Sequence, residues 1–331
     1  MRLRLAPENT NYDFFKYQKV TFGGSMVLMV VALFLWAVMG LNFGIDFKGG
    51  TSIRTDSSQV IDVADYRAVL TDLSIGDVAI TQVFDPSFST DQHVAMIRIA
   101  ALAGSEAITP ETIERIERAL KLFDPQISFT SVESVGPKVS QELIWSAILA
   151  MTGATIGILF YIWLRFEWQF AVGAVLALVH DVFITIGVFA LFQIKFDLSI
   201  IAALLTILGY SINDTVVVFD RLRENLIKYK TMALRDVMNL SVNETLSRTL
   251  VTSTTTLVAL ISMLVLGGDV IRGFAFAIAF GVVLGTYSSV FVAKNIVLFM
   301  GVTAMGPKNQ AVLAPNMQIL MPRDAVARNH L

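Results

Sequence analysis

The chain has 331 residues, of which 55% are hydrophobic and only 16% are charged, and it contains no cysteine. Its mean hydropathy is +0.66, whereas soluble globular domains carry about 25% charged residues. The composition therefore indicates a membrane protein, and it excludes disulfides and thiolate metal sites.

Residues 42–142 hold 15 acidic and 8 basic residues, a net charge of −7, while the remainder holds 17 basic and 12 acidic residues, a net charge of +5.

Six apolar runs have about the 20 residues that are needed to cross the hydrocarbon core of a bilayer. They cover roughly 21–41, 143–163, 170–192, 198–219, 249–267 and 274–300. The first run is too long for the apolar part of a signal peptide and lacks a clear cleavage site, so we interpret it as a retained helix. The last is longer than a span requires. We expect it to tilt, to kink at Gly281 or Gly285, or to end near Lys294.

The distribution of Lys and Arg predicts the orientation, because cytoplasmic segments are enriched in both. Basic residues are concentrated in the tail 1–20, the loop 220–248 and the tail 301–331, and the short loops on the other side hold only Lys195 and Arg272. We therefore expect a multi-pass protein of the bacterial inner membrane with both termini in the cytoplasm. The acidic segment 42–142 is then periplasmic.

The segment 42–142 has the pattern strand, helix, strand, strand, helix, strand. Apolar residues at helical spacing follow the first strand, and a second helix is predicted to begin at Thr109–Pro110. The strands are predicted at 51–55, 79–84, 93–99 and 127–135, with a turn at Asp85–Pro86. This order is typical of a ferredoxin-like α+β domain. His93 stands alone in a strand, and we expect it to have a surface or packing role.

Ionisable residues inside the spans are the main functional signal. A charge near the bilayer centre costs about 2.5–3.5 kcal/mol or more, so such residues usually face the bundle interior and mark a pathway. Asp181 lies in the middle of the third span beside His180, and Asp214 lies in the fourth. Arg248 begins the antiparallel fifth span and could reach the depth of Asp214. We predict a proton relay of Asp214, Arg248 and Asp181, because a moving arginine changes the proton affinity of a buried carboxylate.

Polar residues near this relay form a supporting group. Thr252, Ser253 and Thr255 lie in a hydroxyl-rich stretch that could pass a proton onward. The alternative is that they join helices, because Ser and Thr are common at helix contacts in membranes. Asn213 could form a hydrogen bond across helices and orient the neighbouring Asp214 carboxylate.

The sequence lacks several motifs of enzymes. It contains no Gly-x-x-x-x-Gly-Lys-Ser/Thr phosphate loop, no His-Glu-x-x-His zinc motif and no Gly-x-Ser-x-Gly elbow. We therefore expect no enzyme activity, no cofactor, no metal and no nucleic-acid partner. Any energy for work is expected to come from an ion gradient or from a partner.

Five strings occur in an order that is characteristic of one family. They are GIDFKGGT at 44–51, SVGPKVSQEL at 134–143, GYSINDTVVVFDR at 209–221, SRT at 247–249 with the following Thr-Ser-x-Thr-Thr, and GTYSS at 285–289. With these strings the chain resembles the SecD/SecF family of bacterial protein-export membrane proteins, over about residues 12–299. Lys48 departs from the family pattern, which has a small or hydroxyl residue there.

The resemblance implies a member of the resistance-nodulation-division superfamily of proton-driven transporters. It implies a heterodimer with SecD that acts on preproteins at the SecYEG channel, with YajC and YidC as further partners. By position, Asp214 and Arg248 resemble the family's intramembrane relay pair, and Asp181 belongs to its His-Asp pair. Gly49 and Gly50, in the first motif, are expected to turn the chain sharply from helix into strand.

Three other interpretations were weighed. An intramembrane aspartyl protease would use Asp181 and Asp214, but Asp214 is expected to lie too near the cytoplasmic side, and Gly-x-Gly-Asp is missing. A small-molecule exporter of the same superfamily would carry larger outside domains and twelve spans. The third interpretation, a structural assembly subunit without a proton path of its own, also stays open.

Overall fold

The computed structural model describes residues 10–302 except 58, 61, 74, 84–87, 90–91 and 101–107. The predicted turn at Asp85–Pro86 and residues 1–9 and 303–331 of the tails therefore lie outside the described part. The elements in chain order are α1 (Gln18–Met39), β1 (Asn42–Phe43), α2 (Ile45–Lys48), β2 (Gly50–Ser57), α3 (Val63–Thr71), β3 (Val78–Val83), β4 (His93–Ala100), α4 (Pro110–Phe123), β5 (Ser128–Val135), α5 (Pro137–Arg165), α6 (Trp168–Phe192), β6 (Lys195–Phe196), α7 (Leu198–Lys228), α8 (Leu234–Leu266), α9 (Asp269–Ser288), a π-helical turn (Ser289–Ala293) and α10 (Lys294–Met300).

Six helices of the described residues are long and apolar enough to cross a membrane, which confirms the predicted number of spans. They are α1, α5, α6, α7, α8 and the continuous run from α9 through the π-helical turn to α10. Burial divides them into two groups. Half of the most apolar window of α6 is buried, 44% of that of α7 and 67% of that of the last run, but only 6–17% in the other three. The bundle therefore has an inner group of three helices and an outer group of three.

The helix ends differ from the predicted spans. The predicted polar loop 220–248 is largely helical, because α7 continues to Lys228 and α8 begins at Leu234. Ion pairs stabilise these extensions: Arg221 contacts Glu224 at 2.5 Å on α7 and Glu244 at 2.7 Å on α8. The helix α5 likewise begins before and ends after its predicted span.

The last span does not end near Lys294, because α10 begins there and continues to Met300. It remains helical through Gly281 and Gly285, and the predicted tilt or kink stays a prediction. Its irregularity is the π-helical turn Ser289–Ala293. Such turns are rare and frequently lie at functional sites.

The α+β domain between α1 and α5 has the predicted topology. Its antiparallel sheet has the strand order β3-β4-β2-β5. The side chains of Leu70 on α3 and Ile116 on α4 pack with Ile53 and Ile97 of the sheet, and all four are fully buried. Strand–helix–strand–strand–helix–strand order with this sheet is the ferredoxin-like arrangement. His93, at the start of β4, is half-buried and pairs with Ser57.

A second, two-stranded sheet joins the end of α1 to the α6–α7 connection. Strands β1 and β6 run parallel, with Asn42 opposite Lys195 and Phe43 opposite Phe196. Two-residue strands have no hydrophobic periodicity, so the sequence does not predict them. This sheet brings α2 next to the beginning of α7. We call this end of the bundle the domain side.

Candidate functional site

Asp181 is the centre of a buried hydrogen-bond cluster that joins the three inner helices. Its Oδ1 lies 2.9 Å from Nδ1 of His180, its neighbour on α6. Its Oδ2 accepts hydrogen bonds of 2.7 Å from Ser211 on α7 and from Ser288 on α9. All four side chains are at most 1% exposed. Both carboxylate oxygens are therefore satisfied, as a buried polar group requires.

A glycine on α9 allows these helices to approach closely enough for the cluster to form. A Cβ added at Gly285 would lie 2.9 Å from the Cβ of Ser211, closer than real Cβ contacts. Small residues at helix contacts are the usual means of close packing in membranes. One turn further along α7, Thr215 Oγ1 and Ser289 Oγ are 2.8 Å apart. The α7–α9 contact is therefore lined by hydroxyl groups over two successive turns.

Asp214 on α7 is only 2% exposed, but its hydrogen bonding differs from that of Asp181. Its Oδ2 has no hydrogen-bond partner among the described residues. The side chains that act on its carboxylate are the Thr286 hydroxyl and the Arg248 guanidinium. Thr286 Oγ1 also lies 2.7 Å from Ser253 Oγ, so this second cluster joins α7, α8 and α9.

Arg248 is exposed and lies at the edge of a cavity. Within the described part of the chain, no ion pair joins it to Asp214. The cavity has a volume of about 540 Å³ and is lined also by the exposed residues Asn213 and Asp220. Arg248 therefore influences Asp214 without holding it in a fixed contact.

The ion pair between Arg221 on α7 and Glu244 on α8 fixes the relative depth of Arg248 and Asp214. Arg248 follows Glu244 by one turn, and Asp214 precedes Arg221 by two turns on the antiparallel partner. The backbone positions of Asp214 and Arg248 therefore differ in depth by about one turn, or roughly 5 Å. The side chain of an arginine is long enough to span that difference.

The two carboxylates lie at similar depths. Ser211, which donates to Asp181, precedes Asp214 by three residues on α7, a rise of about 4.5 Å. The offset is about one turn, and the sequence-based argument that Asp214 lies too near one side to pair easily with Asp181 stays a prediction. Each carboxylate nevertheless has its own partners, and no hydrogen bond joins the two in the described structure.

The supporting residues predicted from the sequence have mixed outcomes. The hydroxyls of Thr252 and Thr255 donate to backbone carbonyls of α8 itself. Among the described residues, Ser253 is the one of these three whose hydroxyl forms a hydrogen bond to another helix, so the run does not join helices as a whole. Asn213 is exposed, and its side chain forms no hydrogen bond with the described residues. The prediction that it orients Asp214 across helices is therefore wrong for this structure.

Gly49 and Gly50 lie at a sharp turn, as predicted. Their φ angles are 72° and 127°, in a region that favours glycine. The chain passes from α2 into β2 at this point. A Cβ at Gly49 would also lie 3.3 Å from the Cα of Pro137, at the start of α5.

Sequence reasoning missed the hydroxyl groups that surround the carboxylates. These are Tyr210, Ser211, Thr286 and Ser288, with Tyr210 donating to Ser253 over 3.4 Å. Ser and Thr are too common in membrane helices to stand out individually. A usable signal existed for Ser211, which shares a helix face with Asp214 at a spacing of three residues.

The fold and the site define a polytopic helical membrane protein with two buried carboxylates in its transmembrane core and an α+β domain at one end. Residues 115–303 match the family described as protein export membrane protein SecD/SecF, C-terminal, and residues 34–59 match the SecD/SecF GG motif. The chain is 68% identical to protein translocase subunit SecF of Cereibacter sphaeroides over 94% of its length and 96% of that protein. Identity to SecF of Rhodobacter capsulatus is 64%, over 91% and 92%. The chain belongs to the SecF family of protein translocase subunits.

Solved structures of SecDF have the same fold. SecDF from Thermus thermophilus, described as a translocon-associated membrane protein, matches 91% of this chain with a TM-score of 0.79 and 33% identity. SecDF in a super-membrane-facing form matches 96% of the chain with a TM-score of 0.66 and 31% identity. The chain spans only 39% and 41% of those longer SecDF chains.

Proposed function

We propose that this chain uses the proton motive force to assist and complete the export of preproteins through the SecYEG channel, in a complex with SecD. The single observation that carries the proposal is a buried carboxylate oxygen of Asp214 that has no hydrogen-bond partner among the described residues and lies near an arginine that forms no ion pair with it there. The α+β domain then lies in the periplasm and both termini in the cytoplasm, in agreement with the distribution of Lys and Arg.

Asp214 has the properties of a reversible proton acceptor. An ionisable residue inside a membrane is expensive and usually marks an ion pathway. A carboxylate oxygen that lacks a donor can accept a proton without first breaking a hydrogen bond. In the proton cycle, the Asp214 carboxylate takes up a proton and becomes a carboxylic acid. The acid then releases the proton and becomes a carboxylate again, and no other bond is made or broken.

Arg248 acts as the electrostatic gate of this cycle. A cation near a carboxylate favours proton release, and withdrawal of the cation favours proton uptake. Because Arg248 lies at the edge of a cavity and about one turn from the depth of Asp214, its side chain has space to approach and to withdraw. The cavity supplies water at the end of the bundle that is opposite the domain side.

The hydroxyl groups between the helices continue the path. Thr286 acts on Asp214 and lies beside Ser253, and Ser211 leads from the Asp214 face of α7 to Asp181. Asp181 already accepts three hydrogen bonds, so in this proposal it holds the inner helices together and receives a proton only transiently. The different partners of the two carboxylates disfavour an aspartyl protease, whose carboxylates share one site.

The exposed residues on one face of the bundle fit a protein partner within the membrane, and we propose that this partner is SecD. This face exposes small and polar residues where lipid-facing helices carry large apolar ones, namely Thr206, Gly209 and Asn213 on α7 and Arg248 and Thr255 on α8. Polar residues inside a membrane are usually covered by protein or line a water-filled path. SecD would cover this face, and SecYEG, YajC and YidC are proposed as further partners of the complex.

The proposal is tested by preprotein export in membrane vesicles with and without a proton gradient, using Asp214→Asn. The variant keeps the size of the side chain but cannot be ionised. We expect the gradient-dependent increment of export to be lost, while gradient-independent export and co-purification with SecD are retained. The matched control is Asp236→Asn near the start of α8, because Asp236 is exposed and lies outside the lining of the cavity beside Arg248.

An Asp214→Asn variant that assembles and keeps the full gradient-dependent increment would overturn the proposal. That result would favour the alternative function, an assembly subunit whose partner contains the proton path.

A further inference from the structure

We infer that α2, between Gly44 and Gly49, is the mechanical coupling between the proton site and the α+β domain, with Asp46 as its positioning residue. The inference rests on the proposed function. It requires that α2 be fixed to the inner bundle, that the domain be hinged to α2, and that there be space for the domain to move. Each requirement has a counterpart in the structure.

The first fixed contact is between α2 and the beginning of α7. Asp46 Oδ2 accepts a hydrogen bond of 3.1 Å from the backbone N–H of Leu198, the first residue of α7. Gly44 N–H donates to Phe196 O at 2.8 Å, next to the β1–β6 pair. The first N–H groups of a helix have no partner within the helix, so a carboxylate there adds a favourable attachment.

A cluster of aromatic rings forms the second fixed contact. Its members are Phe43, Phe47, Phe189, Phe196 and Phe276, with neighbouring centroids 5.7–6.0 Å apart. These rings come from β1, from α2 itself, from the end of α6, from β6 and from α9. Aromatic pairs at such distances stabilise each other beyond the effect of burial alone. The segment is therefore packed against the inner cluster at the domain side, and it also contacts the start of α5 through Ser140 and Ile45.

The connection to the domain, in contrast, consists of glycine junctions. Gly49 and Gly50, at φ 72° and 127°, lead from α2 into β2, and Gly136 leads from β5 into α5. The two junctions are adjacent, because Gly50 pairs with Val135 at the end of β5. Hinges are a few residues at element ends that absorb changes in φ and ψ. The domain is thus attached to the bundle along one edge.

A cavity of about 530 Å³ separates the open face of the sheet from the domain side of the bundle. Ser52 and Ser131 line it from the sheet, and Lys195, Ser199 and Gly273 line it from the bundle. A tightly packed interface would resist tilting, because cores do not deform continuously. The cavity gives the domain space to tilt about its glycine edge.

The helix α7 carries the movement from the proton site to α2. It is one continuous helix, and Asp214 and Leu198 are 16 residues apart, or about 24 Å along the axis. When Arg248 approaches or leaves Asp214, a rigid shift of α7 moves Leu198 and, through Asp46, the coupling segment. The domain then responds at the glycine junctions.

The inference is tested by spin labels at Leu122→Cys on α4 and Leu266→Cys at the end of α8, in the complex with a cysteine-free SecD in vesicles. Both positions are more than 80% exposed, and the chain has no other cysteine. We expect a proton gradient to change the distance between the labels, and Asp46→Ala to abolish that change. Asp46→Asn keeps an oxygen acceptor for the Leu198 N–H and should restore it.

The matched control is Asp62→Ala, which removes an equivalent cap from α3 inside the domain and should leave the change intact. If Asp46→Ala does not assemble, a disulfide from Asn42→Cys and Lys195→Cys fixes β1 to β6 instead, and the distance change should persist. Three results would overturn the inference. The gradient could leave the label distance unchanged in the doubly labelled chain without further substitutions, the distance change could survive in Asp46→Ala, or the disulfide could block it. The export assay of Asp214→Asn tests the proposed function separately.

Discussion

At the scale of single residues, the two buried carboxylates illustrate how surroundings assign a role. Asp181 has a donor for each oxygen and lies among three helices, so its energetic cost is offset by hydrogen bonds. Asp214 is also buried, but one of its oxygens has no hydrogen-bond partner in the part of the chain that the structure describes. A buried carboxylate oxygen without a partner lowers the stability of the fold. An ionisable residue in this situation inside a membrane usually marks an ion pathway.

A third buried polar group, in the α+β domain, gives a prediction about pH. The hydroxyls of Tyr66 and Ser57 both donate to Asp124 Oδ2. Tyr66 is 1% exposed, and its burial, followed by the negative charge of Asp124, raises its pKa above the ordinary value of about 10. The folded domain thus favours neutral Tyr66. The resulting stability is fully present below about pH 10 and is lost as the pH rises through the folded-state pKa.

The measurement is an absorbance titration of tyrosinate in the whole protein, which has seven tyrosines. Tyr66→Phe should remove a titration step that occurs above the ordinary range and coincides with loss of domain structure. Tyr17→Phe, which removes an exposed tyrosine, should leave that late step in place. A difference between wild type and Tyr66→Phe that is centred near pH 10 would contradict this account of the cluster.

At the scale of elements, the packing of α9 on α7 positions both clusters. Gly281 and Gly285 face α7 one turn apart, and Cβ atoms added there would collide with Ile207 and Ser211. Beyond them the π-helical turn begins, where Ser288 contacts Asp181 and Ser289 contacts Thr215. The close approach of these two helices is therefore a condition for the hydrogen bonds of the site.

This packing predicts that Gly281→Ala destabilises the bundle. An added Cβ would lie 2.4 Å from Cγ1 of Ile207, a β-branched side chain that has few alternative rotamers. Overpacking of this type costs about 1–3 kcal/mol. The thermal unfolding midpoint in detergent should fall, and Ile207→Val in the same chain should restore part of it.

The matched control is Gly153→Ala on α5, where an added Cβ meets nothing within 4 Å. Alanine is favoured over glycine in a helix by about 0.5–1 kcal/mol, so this variant should be neutral or slightly more stable. Equal unfolding midpoints for the two variants would show that the α7–α9 contact is looser than described.

The elements differ in how far the sequence determines them. The spans and the sheet order follow from long apolar runs and from alternation, both of which are averaged over many residues. The β1–β6 pair and the π-helical turn depend on tertiary contacts and have no periodic signal. The helices α7 and α8 are longer than their predicted spans. The thickness of the hydrocarbon core limits the number of apolar residues but not the length of the helix, and ion pairs stabilise the polar extensions.

The candidate site was predictable to a similar degree. Burial of Asp181 and Asp214 follows from the cost of charge in lipid. Their partners do not follow, because a partner on another helix depends on rotation and depth. Asn213 shows the limit of the approach: it adjoins Asp214 in sequence, but successive residues of a helix point in different directions, and Asn213 faces the cavity instead.

At the scale of the whole molecule, the structure separates an inner group of helices that contains the carboxylates from an outer group that exposes apolar side chains. The small and polar face of α7 and α8 is an exception in the outer surface, and it lies beside Arg248 and the cavity. The domain is attached to the opposite end through α2. The proposed proton site, the proposed partner face and the attachment of the domain through α2 therefore share one helix, α7.

The most direct measurement of the central claim is proton flux in liposomes that contain this chain together with SecD, recorded with a pH-sensitive dye under an imposed membrane potential. The account predicts that Asp214→Asn abolishes the flux that depends on the complex and that Asp236→Asn retains it. An Asp214→Asn complex that conducts protons at the wild-type rate would contradict the account, because the proton path would then lie outside this chain.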